Sequence, residues 1–266
     1  MVLIGISHTR FGIGVGRVNI NIIFGLPIFS IMTASGMLIA SSLIFMNRET
    51  EPTDLKSKKL TLLGVILFLS AVLISIFHTL FYNLNFLNLL LLSILGTLWA
   101  FSIYYGKNSE YKGFLVFGII SLSISYGIIY GAALNSFLIP VHIFFLFAGT
   151  LTLQLSKDLI TNFKKKPEKD INGIFYISLS LDDTKIHRIS LLSNLIAILC
   201  FLVPYFLNII NSMLYLIFII PTLLLIAIAV ILHMLMNTEK SYYKTIRLLL
   251  RASLFLSILA MILGSV

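Results

Sequence analysis

From residue 19 onward the chain is a succession of apolar runs separated by short polar breaks, at about 19–46, 59–82, 84–105, 113–133, 136–156, 189–210, 212–235 and 246–266. At a rise of ~1.5 Å per residue, each is long enough to cross a hydrocarbon core of ~30 Å. The pattern predicts eight membrane-spanning helices. The breaks alternate in character. Those near Asn83, near Asn135 and over residues 208–211 hold no charged residue, whereas the others hold Arg48, Lys56, Lys58 and Lys59, then Lys107 and Lys112, then the long segment from Lys157 to Arg188, then Lys240, Lys244, Arg247 and Arg251. All Lys and Arg except Arg10 and Arg17, and all ten acidic residues, therefore fall on one side of the membrane. The positive-inside rule makes that side cytoplasmic, as expected of a multi-pass protein of the cell membrane.

Residues 1–18 fit this scheme poorly, because Arg10 and Arg17 interrupt a span that is barely long enough to cross. They read either as the stub of a further helix or as a short helix folded back at the interface. The run FGIGVG follows no strand of an α/β unit, so its glycines supply backbone freedom and not a phosphate cradle.

Composition agrees. The chain is 59% hydrophobic and 11% charged, against about 25% charged in soluble domains, and no polar stretch is long enough to fold separately. A single transmembrane domain over 1–266 is the economical reading. The net charge of +9 lies in membrane-flanking loops, which removes nucleic acid as a partner. The one cysteine, Cys200, falls in an apolar run and reads as a small buried side chain.

Two polar segments on the charged side offer chemistry. After the first helix, Asn47 and Glu51 stand four residues apart beside Arg48 and Glu49; at the end of the fifth, Gln154, Asp158 and Asn162 share the same spacing beside Lys157. Carboxylates and amides on one helix face, ringed by basic residues, suit Mg²⁺ held against a diphosphate. Solvated helix ends whose charges serve topology are the plain alternative.

The order of these segments resembles the UbiA superfamily of intramembrane prenyltransferases, and within it the archaeal geranylgeranylglyceryl-phosphate geranylgeranyltransferases. LIFMNRETE at 43–51, followed by Pro52 and lysines, stands where that family has NDxxDxxxD and a basic loop. LQLSKDLITN at 153–162, with KDINGIFYISLSL further on, stands where it has REIxKDIEDxxGD; KNSEYKGFLVFG at 107–118 resembles its middle loop and YGAAL at 130–134 a small-residue segment. The resemblance covers about residues 19–266 and implies an all-α bundle of eight to nine transmembrane helices. It implies transfer of an isoprenoid chain from a prenyl diphosphate to a lipid or aromatic acceptor at the cytoplasmic face. Asn47, Glu51 and Asp158 would hold Mg²⁺, and Arg48, Lys107 and Lys157 would meet the diphosphate. The motifs depart from the family pattern at Ile44, Asn47, Gln154 and Thr161, where carboxylates are expected. A non-catalytic relative that binds isoprenoid lipid or a membrane partner is the other reading.

Among the remaining polar residues, His78, His142 and His233 lie on separate helices with no second ligand at i+3 or i+4 and read as hydrogen-bonded interior groups. Pro140, Pro204 and Pro221 mark kinks, and Tyr104 and Tyr105 an interfacial belt. The Lys164–Lys166 run reads as a patch facing lipid headgroups or a lid over the site. No helix centre carries a charge, which speaks against an ion-coupled transporter.

Overall fold

The computed structural model describes residues 1–9, 15–45, 51–82, 86–106, 112–136, 138–163, 183–210, 212–235 and 240–265; at 15–17, 51–54, 112–113, 162–163, 183–184 and 240–241 it describes the backbone alone. In chain order the helices are α1 (Val2–Ser7), α2 (Val15–Phe45), α3 (Glu51–Phe81), α4 (Leu87–Gly106), α5 (Lys112–Ser125), α6 (Gly127–Asn135), α7 (Val141–Phe163), α8 (Asp183–Phe206), α9 (Met213–Leu235) and α10 (Lys240–Gly264). The described residues contain no strand. Eight spans among them are long and apolar enough to cross a membrane, with α5 and α6 forming one span, Phe114–Asn135. The chain is an all-α, multi-pass membrane protein. Lipid-facing surface accounts for the large side chains left exposed along α3, where Leu62, Leu73 and Leu80 are each more than 60% exposed.

Helix boundaries depart from the apolar runs in a consistent way. Helices α3, α8 and α10 begin at Glu51, Asp183 and Lys240, well before the apolar residues start at 59, 189 and 246. Lys and Glu are good helix formers, so hydropathy marks where a helix enters the hydrocarbon and not where it begins. At α7 the shift is opposite. Ser136 is extended (φ −140°, ψ 138°), and the helix opens after Pro140, whose carbonyl accepts from the Ile143 amide at 3.0 Å. Pro140 thus precedes α7 instead of kinking it, as suits a ring that excludes the preceding residue from helical angles. Pro27, Pro204 and Pro221 lie inside α2, α8 and α9.

The chain divides into two compact units, Met1–Phe144 and Phe145–Val266. In the first, α2 and α3 form the most extensive pair, and α1 and α5 pack on α6 and α2 respectively. Helix α6 is buried from Gly127 to Leu134. Its GAA segment makes this possible: the backbones of α1 and α6 cross so closely that a methyl group on Gly5 would strike the backbone of Ile128 and Ala132, and one on Gly131 the backbone of Val2. Small residues at such crossings let membrane helices gain close packing where water supplies no drive. Polar stitches reinforce the crossing. The Asn21 amide donates to the Leu134 carbonyl (3.1 Å) and to Asn135 Oδ1 (2.6 Å), and the Asn135 amide donates to the Ile6 carbonyl (3.1 Å). A second stitch joins α3 and α4, where Asn88 donates to Ser75 Oγ (3.1 Å) and Thr79 Oγ1 (2.9 Å).

In the second unit α9 and α10 form the main hairpin and α8 packs on α9. The α8–α9 turn is short because Asn208 adopts a left-handed conformation (φ 54°), which lets the Ile209 and Ile210 amides both return to the Pro204 carbonyl; asparagine tolerates that region better than most residues. Tyr215 Oη on α9 donates to the Phe201 carbonyl on α8 at 2.7 Å. Gly149 on α7 leaves room for the Phe201 ring. Cys200 is half-buried in the helix packing.

Candidate functional site

The charged end of the second unit gathers the end of α7, the start of α8, the end of α9 and the start of α10. Up-and-down helices place alternate termini together, so the residues flanking the long polar segment meet those near Tyr243. Ser156 on α7 and Ser190 on α8 share a buried hydrogen bond of 2.6 Å that fixes this register.

Helix α7 presents two polar faces here, because residues two apart are turned by about 200°. On one, Gln154, almost fully buried, donates its amide to Asp158 Oδ2 at 2.9 Å. Lys157 Nζ lies 3.1 Å from Asp158 Oδ1, the two side chains being 15% and 17% exposed. The spacing of four read from the sequence is therefore a real contact. A carboxylate in the last two turns of a helix opposes the helix dipole, and the adjacent ammonium offsets that penalty. The result is an anion and a cation held at the rim of an apolar helix. Thr161 takes no part, since its hydroxyl bonds back to the Lys157 carbonyl at 2.7 Å.

On the other face, Ser156 and Ile160 look toward α8. Ile160, Ile186, His187, Ser190, His233 and Tyr243 line a shallow open recess with room for little more than a water molecule. His187 and His233 meet edge to face with ring centres 3.8 Å apart and planes at 80°. The sequence pattern singles out His233, with His78 and His142, but not His187. The signal was available in topology: His187 opens one helix and His233 closes the next, so antiparallel packing sets both at the same level.

The expectation that the interior histidines are hydrogen-bonded is corrected for His78 and His142. Neither ring nitrogen of His78 or His142, nor Nδ1 of His233, has a hydrogen-bond partner among the described residues. Each is packed by rings instead. His78 stacks on Phe24 at 4.7 Å and meets Tyr82 at 5.6 Å; His142 lies 5.2 Å from His8. Apolar helices bring neighbouring rings close but offer few acceptors, because their carbonyls are consumed within the helix.

Asn47, Arg48, Lys107, Lys164–Lys166 and Asp170 lie outside the described residues, as do the side chains of Glu51 and Asn162. Of the residues expected at the site, the structure describes the side chains of Asp158 and Lys157, and brings them together. Among the described residues no three His, Cys, Asp or Glu side chains are grouped to hold a metal. Asp158 offers one carboxylate. That suits Mg²⁺ arriving with a diphosphate, since this ion is commonly held by one or two carboxylates and takes its other ligands from phosphate and water. Tyr104 and Tyr105 are exposed at the end of α4, as an interfacial belt requires. Compared with protein-family models, with curated proteins and with solved structures, the chain shows no match.

Proposed function

We propose that the chain is a UbiA-like integral membrane prenyltransferase, moving an isoprenoid chain from a prenyl diphosphate to a lipid or aromatic acceptor at the face where its charges gather, which the positive-inside rule assigns to the cytoplasm. The observation that carries the reading is the Gln154–Asp158–Lys157 cluster: a carboxylate oriented by an amide and paired with an ammonium at the rim of an apolar span. Lys157 would exchange its contact with Asp158 for an oxygen of the incoming diphosphate. Asp158, still held by Gln154, would then face the Mg²⁺ that accompanies the substrate. That ion supplies neutralisation of the leaving diphosphate. The apolar walls of the spans exclude water from the allylic cation that remains. Arg48, Lys107, Asn47 and Glu51 enter through the resemblance alone. Purified protein given geranylgeranyl diphosphate, Mg²⁺ and a panel of acceptors is expected to release diphosphate, and Asp158→Ala to abolish release. No release from folded protein with any acceptor would sink the proposal.

A second reading is favoured by the fact that both Asp158 oxygens already have partners within α7. On that reading the cluster closes the helix end and the protein binds isoprenoid lipid without catalysis. It predicts prenyl-lipid binding that is indifferent to Mg²⁺ and to Asp158→Ala.

A further inference from the structure

Two pairs of histidines meet across helices, and ring geometry separates them. A metal ~2.05 Å from an imidazole nitrogen lies ~3.2 Å from the ring centre, so tetrahedral ligation sets two ring centres ~5.2 Å apart and a right-angled octahedral edge ~4.5 Å. The His187–His233 centres, at 3.8 Å, are too close for either without rearrangement. The His8–His142 centres stand 5.2 Å apart with planes inclined by 59°. Both residues are more than nine-tenths buried. Among the described residues both nitrogens of His142 lack a hydrogen-bond partner, a costly arrangement for a buried polar ring, and ligation would relieve it at one nitrogen. His8 follows α1 and His142 sits in the first turn of α7, so the pair is assembled by tertiary packing inside the first unit.

We propose that His8 and His142 form a two-histidine site for a borderline divalent transition cation, Cu²⁺ or Zn²⁺. Neutral imidazole suits these ions, and Cu²⁺ binds most tightly of the first-row series. With no third His, Cys, Asp or Glu grouped there among the described residues, the remaining positions fall to water or neutral oxygen, which makes the ion exchangeable. His142 stands at the opposite end of α7 from Asp158, and the site is independent of the proposed transferase reaction.

Cu²⁺ titrated into the purified full-length protein, followed by electron paramagnetic resonance and by calorimetry, tests this. The expected result is one equivalent bound with two coupled imidazole nitrogens. His8→Ala and His142→Ala should each reduce the coupling to one nitrogen and weaken binding at least about tenfold, as loss of one ligand of a small set does. His142→Gln preserves side-chain bulk and polarity and serves if the alanine variant unfolds. His187→Ala should leave the spectrum unchanged. Absence of a stoichiometric Cu²⁺ complex, retention of two nitrogens in the His8 and His142 variants, or loss of one on replacing His187, would overturn the proposal.

Discussion

Replacing Asp158 separates what the α7 cluster contributes to stability from what it contributes to chemistry. At 3.1 Å and an effective dielectric of ~20, the gross attraction between Lys157 and Asp158 is ~5 kcal/mol. Desolvation of two largely buried charges and the ordering of the Lys157 side chain offset most of it. Exposed pairs net ~0.2–1 kcal/mol; side chains only 15% and 17% exposed should retain rather more, ~1–2 kcal/mol. The Gln154 amide adds a hydrogen bond to a charged acceptor, of order 1.5 kcal/mol. Asp158→Ala should therefore destabilise by about 2.5–3.5 kcal/mol. A double-mutant cycle of Lys157→Met with Asp158→Asn should return a coupling of about 1–2 kcal/mol. Reversible unfolding in mixed micelles with increasing SDS reads both, and diphosphate release on the same samples reads the chemistry. A coupling below ~0.3 kcal/mol would refute the reasoning, because a pair worth no more than an exposed one cannot orient the carboxylate. The two functional readings also part here: in Asp158→Asn the enzyme loses turnover beyond what the ~1–2 kcal/mol loss of the ion pair explains, whereas the lipid-binding protein loses that stability alone.

The other expectations concern the first unit. The cycle Asn21→Ala with Asn135→Ala should show a coupling of about 0.6 kcal/mol and no more than about 1.7 kcal/mol, the mean and maximum found for hydrogen bonds between membrane helices; additivity in SDS unfolding would show that the two amides do not meet. Gly5→Val should force α1 from α6 and cost at least ~1–3 kcal/mol, whereas the same change at Gly118, where an added Cβ meets nothing within 4 Å, should be neutral or stabilise by a few tenths of a kcal/mol, because valine is a better helix former than glycine. Equal unfolding curves for the two variants would contradict the close crossing.

By itself the sequence determined that this is an all-α, multi-pass membrane protein and where its spans lie. The physical reason is local: in hydrocarbon each helix satisfies its own backbone, so the length of an apolar run suffices to identify it. The contact of Gln154 with Asp158 was legible for the same reason, since it joins residues one helical turn apart. Only the tertiary structure decided which polar groups meet across helices. The His8–His142 and His187–His233 pairs, and the Asn21–Asn135–Ile6 stitch, depend on the rotation and depth of helices far apart in the chain. Among apolar helices packing is governed by shape, and the fit of Gly5 against α6, which no hydropathy pattern encodes, determines which side chains finally face each other.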